Sequence, residues 1–180
     1  MNPDPGADPR RREFDALYQR FGREVWALAY ARWPDADLAL DVSQEAFLRL
    51  WKQWEAGERI ENPRAWLMRV ARNLAEDFAK SSFRRNGTQP PQMLNGVKSA
   101  TKSPQDVLEE REMYEQIRGL MGELAPADRD ILTLKYALDY DAPTIADVLH
   151  VNVSAVHMRL SRARQRLADR LTQAGVTLPP

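Results

Sequence analysis

The sequence predicts an all-α protein of two small helical domains joined by a flexible linker. Three observations carry that expectation. Apolar residues recur at three- and four-residue spacing along most of the chain, strand signals are nearly absent, and residues 86–103 (NGTQPPQMLNGVKSATKS) hold no amphipathic period. With 180 residues, 43% of them hydrophobic and 29% charged, the chain has apolar mass for two small cores under a well-solvated surface.

Residues 1–11 read as a disordered tail. Phe14, Leu17, Tyr18, Phe21, Val25 and Leu28 then follow one buried helix face, until Pro34 ends the helix or turns the chain. Phe47, Leu50, Trp51 and Trp54 repeat the spacing in a second helix, which Gly57 breaks. A third helix opens at Asn62 and Pro63, since Asn caps and Pro suits the first helical position. Leu67, Val70, Ala71, Leu74 and Phe78 continue it to about Arg85, so that residues 12–85 form one bundle. After the linker, Ser103 and Pro104 restart helical structure, with Asp106 near the helix start, and a second domain runs over 104–172. Val107, Met113 or Tyr114, Ile117, Leu120 and Met121 supply its first apolar stripe. Pro126 opens a further helix carrying Ile131, Leu132 and Leu134, and residues 173–180 are read as a tail.

The last third contains the sharpest local pattern. Asp141 caps a short helix with Ile145, Ala146 and Leu149 facing inward. After a turn at His150, Val151 and Asn152, a longer helix places Val156, Leu160, Ala163 and Leu167 on one face. Its other face carries Ser154, His157, Ser161, Arg162 and Gln165. A short helix, a tight turn and an exposed basic second helix make a helix-turn-helix, whose second helix enters the DNA major groove with its N-terminal residues at base edges. The competing reading is an ordinary helical hairpin.

The formal net charge is zero, but its distribution is uneven. Residues 62–85 carry Arg64, Arg69, Arg72, Lys80, Arg84 and Arg85 against Glu76 and Asp77, a net +4. Residues 150–170 carry Arg159, Arg162, Arg164, Arg166 and Arg170 against Asp169, again +4, whereas residues 104–130 sum to −5. Two basic stretches around an acidic one suit two contacts with a polyanion, unless they are merely solvated helix faces.

Several function classes are disfavoured. The absence of cysteine excludes disulfides and thiolate metal sites. No apolar run approaches the ~20 residues that span a bilayer, and the N-terminus lacks a signal peptide's apolar centre, so a cytoplasmic location without membrane insertion is expected. No glycine-rich phosphate loop and no histidine with a partnered carboxylate stands out, so neither a catalytic group, a cofactor nor a metal site is expected. His150 and His157, seven residues apart, make a poor ligand set.

Two separated blocks resemble one family. DVSQEAFLRLW at 41–51 resembles the D-x-x-Q-E-x-F motif of sigma-factor region 2, and PRAWLMRVARNLAED at 63–77 resembles its W-L-x-x-I-A-x-N-x-x-x-D continuation. The span from LAPADR at 124–129 to SRARQRL at 161–167 is similar to region 4. Because no folded third region fits between them, the resemblance is to the minimal, extracytoplasmic-function group of bacterial RNA polymerase sigma factors. It implies a non-enzymatic subunit that binds core RNA polymerase, recognises minus-10 and minus-35 promoter elements and melts DNA. The alternative is a polymerase-independent helix-turn-helix regulator, which leaves the 41–77 block without a role.

The resemblance also implies roles for residues. Asp41, Gln44, Glu45 and Leu48 would bind the β′ clamp helices; for Asp41 and Glu45 the alternative is complementarity to a helix dipole. The β flap is a further expected contact on the polymerase. The segment 52–64 resembles the loop that captures a flipped minus-10 base, with Arg59, Glu61 and Asn62 in reach of it. Arg69, Arg72, Asn73 and Lys80 would hold the non-template strand. Trp51, Trp54 and Trp66 have the chemistry of stacking platforms, although Trp51 and Trp54 fall on the apolar stripe. Ser154, His157, Met158, Arg159, Ser161, Arg162 and Arg164 would face the minus-35 element, with Arg166 further along contributing affinity through phosphate. The chain departs from the family here. It has SAVHMR at 154–159 where Gly-Thr-Val-Lys/Arg-Ser-Arg is common, and APT at 142–144 where a tyrosine and acids are usual. An altered minus-35 code is the expected consequence. Promoter DNA and an anti-sigma factor complete the implied partners.

Overall fold

In the computed structural model the chain divides into two compact units, Met1–Gln92 and Met93–Pro180. The structure describes residues 8–86, 116, 117 and 119–176, without the side chains of 79–86. The expected linker at 86–103 and the helix start at Ser103 and Pro104 therefore lie almost wholly outside the described residues.

The first unit packs three helices against one another: α1 (Pro9–Arg32), α2 (Ala36–Glu55) and α3 (Pro63–Asn86). Helix α1 begins within the segment expected to be a tail. The Asp8 side chain accepts a hydrogen bond from the Arg10 N–H at 3.0 Å, and Pro9 supplies the preset first turn, an Asp-Pro signal readable in the sequence. Asp35 caps α2 in the same way, accepting from the N–H groups of Asp37 and Leu38 at 3.0 Å each. Gly57, at φ 82°, lets the chain leave α2 in a left-handed conformation. Asn62 caps α3 through the Ala65 N–H at 3.1 Å, as its sequence position suggests.

The core of this unit includes Val25, Leu28, Val42, Phe47, Leu50, Leu67 and Met68, each at most 2% exposed. Phe14 meets Phe47, Trp51 and Trp54 edge-on, with ring centroids 5.3 to 6.4 Å apart. Such edge-to-face pairs add to area burial, so Trp51 and Trp54 are engaged as packing groups.

The second unit contains α4 (Pro126–Leu132), a π turn (Thr133–Ala137), α5 (Ala142–Leu149) and α6 (Val153–Gln173). The π turn widens the helix after α4, with the Leu138 N–H reaching back to the Thr133 carbonyl at 3.1 Å. Periodicity, which placed Leu134 in a plain helix, does not register this one-residue slip. Asp141 accepts from the Thr144 N–H at 2.9 Å to cap α5. His150 takes φ 52° in the turn after α5, and Asn152 accepts from the Ala155 N–H at 2.7 Å to start α6. Ile131, Leu134, Tyr140, Ile145, Val148, Val156 and Ala163 are at most 2% exposed and form the core. The helix-turn-helix expected from the sequence is present.

Candidate functional site

The described residues offer three candidate surfaces, each confined to one unit. The first is the outward face of α2. Asp41, Gln44, Glu45 and Leu48 line one open groove, to which α3 contributes Leu74 and Phe78. Gln44 stands between Leu40 and Leu48 at four-residue spacing, and these two leucines are 46% and 45% exposed. Asp37, Asp41 and Glu45 repeat the same interval beside them. The face is thus an apolar stripe flanked by an acidic one. Part of the Glu45 charge is met by Arg49 Nε at 2.8 Å. The dipole alternative fits Asp37 better than the residues it was raised for. Helix-end electrostatics fade within one turn, Asp37 lies in the first turn of α2, and Asp41 and Glu45 lie beyond it. Leu40 is absent from the sequence-based set, although its spacing from Gln44 was sufficient to find it.

The second surface runs from the loop before α3 along that helix. Arg59, Glu61 and Asn62 are exposed, but the Asn62 amide oxygen is committed to the cap. Arg69 and Arg72 are half-buried and Asn73 is exposed, at the three- and four-residue intervals of one face. Lys80 extends that face in sequence, but its side chain lies outside the described residues. At 1.5 Å per residue, Asn62 to Lys80 spans about 27 Å of helix. Arg64, counted in the basic stretch, instead serves the fold. Its Nε and Nη2 donate to the two Glu24 carboxylate oxygens at 3.0 and 3.1 Å, and its guanidinium lies 5.7 Å from the Phe21 ring centroid. Arg32 supplies a second tie between α1 and α3. It is 7% exposed and reaches Glu76 Oε2 at 3.2 Å and the Arg72 carbonyl at 3.3 Å. Trp66 is half-buried.

The third surface is the outward face of α6. Ser154, His157, Met158, Arg159, Ser161, Arg162 and Arg164 are all exposed, while Val156, Leu160 and Ala163 are buried on the opposite side. Arg166, expected to add affinity through phosphate, is held in an ion pair. Its Nη1 donates to Asp128 Oδ2 at 2.6 Å, and Asp128 is only 7% exposed. One turn on, Arg170 pairs with Glu123. Both arginines fasten α6 to the protein, so part of the Arg166 charge expected to meet phosphate is met by Asp128. Gln165 donates to Asp169 at 2.9 Å.

Among the described residues no three metal-ligating side chains come together, and no helix is long and apolar enough to cross a membrane.

Two helical units, one with an acidic and apolar groove and the other with a helix-turn-helix, agree with the architecture that the sequence resemblance implies. The Sigma-70 region 2 family matches residues 17–85 and the Sigma-70 region 4 family matches residues 114–167, together more than half of the chain. The probable RNA polymerase sigma factor RfaY of Xanthomonas campestris is 31% identical over 151 residues, covering 83% of this chain and 38% of the relative. The extracytoplasmic-function sigma factor SigG of Mycobacterium tuberculosis is 28% identical over 92% of this chain and 52% of its own. SigM of Bacillus subtilis is 27% identical over 85% of this chain and 91% of its own. The chain thus spans about half or less of the length of the first two of these relatives. Among solved structures, the sigma factor RpoE in complex with the anti-sigma factor NepR from Bartonella quintana matches with a TM-score of 0.68 at 19% identity, over 89% of this chain and 98% of that one, a likeness of fold. CnrH in complex with the cytosolic domain of CnrY matches with a TM-score of 0.61 at 26% identity, over 91% and 90%. The chain belongs to the sigma-70 family of RNA polymerase sigma factors, in its extracytoplasmic-function group.

Proposed function

We propose that this protein binds core RNA polymerase, directs it to promoters through minus-10 and minus-35 elements, and melts the DNA there. The observation that carries the reading is the pairing, in one chain, of the α2 groove with an exposed helix-turn-helix face. A polymerase-independent regulator needs the second of these but has no use for the first. The Leu40, Gln44 and Leu48 stripe beside Asp37, Asp41 and Glu45 suits an amphipathic basic helix laid along α2, the chemistry expected of the clamp helices. The β flap is the proposed second contact on the polymerase.

Melting replaces base stacking by protein contacts. Arg59, Glu61 and Asn62 are assigned to the captured base. Arg69, Arg72, Asn73 and Lys80 are assigned to the displaced strand, whose phosphates their charge and hydrogen-bonding groups suit. The α6 residues Ser154, His157, Met158, Arg159, Ser161, Arg162 and Arg164 are assigned to the minus-35 element. Residues 86–103 are read as the tether between the two readers; at most ~3.5 Å per residue gives a reach of roughly 60 Å. The protein is read as acting in the cytoplasm, without a catalytic step or cofactor of its own, since phosphodiester synthesis belongs to the polymerase. An anti-sigma partner is proposed as well; the sigma factor RpoE, whose fold this chain shares, is solved in complex with the anti-sigma factor NepR.

Charge reversal at both Asp41 and Glu45 tests the central claim. Affinity for core polymerase is expected to fall at least tenfold with helical content intact, and run-off transcription from a cognate promoter is expected to fall with it. Unchanged core affinity would overturn the assignment of this face.

A further inference from the structure

Helix α6 presents an unusual group at the centre of its outward face. Met158 stands opposite the buried Val156, Leu160 and Ala163 and is 56% exposed, with exposed Ser154 one turn before it and exposed Ser161 and Arg162 one turn after it. The Asn152 cap and the left-handed His150 hold the start of the helix in place, so the face is defined by ordered backbone. Arg166 and Arg170 are bound to Asp128 and Glu123, and Gln165 is bound to Asp169. The first turns of α6 therefore offer a groove two hydroxyls, one imidazole, the guanidiniums of Arg159 and Arg162, and a single central thioether.

The groups a major groove presents are nearly all hydrogen-bonding. Its distinctive apolar group is the C5-methyl of thymine. A flexible, polarizable thioether adapts to such a target, whereas the serine that the family commonly carries at this position offers a hydroxyl.

We infer that Met158 is a specificity-determining residue that reads thymine methyl groups in the upstream promoter element. This rests on the reading of α6 as the DNA-reading helix. The contact is van der Waals burial of a methyl group, and it distinguishes thymine from uracil, which keeps every hydrogen-bonding group and lacks only the methyl.

The test uses full-length protein with core polymerase and a promoter located by mapping transcript starts. Thymines of the upstream element are replaced singly by deoxyuridine. At one or two neighbouring positions the parent is expected to lose about fourfold in affinity, the factor for burying one methyl-sized group. Met158→Ser is expected to bind the thymine and uracil promoters equally, and Met158→Leu to keep the preference. Equal binding of the two promoters by the parent, full discrimination by Met158→Ser, or an upstream element without an A·T pair each overturns the inference. Protection of the upstream element by the parent in a footprint separates the two levels of failure. With protection intact, only the assignment of Met158 falls; without protection, the DNA-reading role of α6 falls with it.

Discussion

Replacing Arg166 by alanine asks whether that flank of α6 faces DNA or the protein itself. The Arg166 side chain is 57% exposed and its partner, the Asp128 side chain, 10%. Removing one member of a buried pair costs about 3–5 kcal/mol, while an exposed pair contributes about 0–1 kcal/mol. With one partner inside and the other in solvent, the expected cost is about 2 kcal/mol. For a unit of this size that corresponds to a fall of roughly 8–16 °C in Tm. The loss is asymmetric. Arg166→Ala strands a buried carboxylate, whereas Asp128→Asn releases an exposed guanidinium to water and keeps a polar group near the start of α4. The double variant is therefore expected to be no less stable than Arg166→Ala.

The five tryptophans, at 26, 33, 51, 54 and 66, all lie in the first unit, so their fluorescence follows that unit's unfolding. The part of the circular-dichroism transition that tryptophan fluorescence does not follow belongs to the second unit, and only that part should shift. Promoter binding at several salt concentrations supplies the other half of the test. Arg164→Ala is expected to reduce the slope of log Kobs against log salt by about 0.9, whereas Arg166→Ala leaves it unchanged. An unshifted second-unit transition together with a reduced slope for Arg166→Ala would refute the argument and restore Arg166 to the phosphate backbone.

Other outcomes follow from the same geometry. Leu40→Ser and Leu48→Ser are expected to weaken core binding without lowering thermal stability, because both side chains already stand in solvent; a destabilised fold would mean that the stripe is structural. Arg72→Ala and Asn73→Ala are expected to slow open-complex formation more than they weaken closed-complex binding. Permanganate reactivity of unpaired thymines measures this, and parental reactivity in both variants would count against the strand assignment. Asn152→Ala is expected to destabilise the second unit by about 1 kcal/mol through loss of the α6 cap; an unchanged transition would contradict the role of the 2.7 Å contact to Ala155.

The sequence by itself determined where α3, α5 and α6 begin and which faces the helices bury, because those signals are local, whereas α1 starts at Pro9, inside the expected tail. A cap acts within three residues, as Asn62 on Ala65 and Asp141 on Thr144 do, and an apolar stripe repeats within a turn. The motif blocks at 41–77 and 124–167 are local in the same sense, so the two-unit organisation and the three candidate faces were legible as strings of residue types. Tertiary structure alone decided which charges on those faces remain available. Arg64 finds Glu24 across 40 residues, Arg166 finds Asp128 across 38, and Arg32 finds Glu76 across 44. Counting charge along the sequence treats Arg64 and Arg166 as parts of basic faces and does not register Arg32. Each instead neutralises a carboxylate that no periodicity connects to it, since an ion pair depends on distance in space. The π turn at Thr133–Ala137 is of the same kind, a shift in hydrogen-bond register that leaves residue spacing unaltered. What separates Arg166 from Arg162 on the same exposed helix face is the nearly buried carboxylate of Asp128, which a neighbouring element brings within reach of one and not the other.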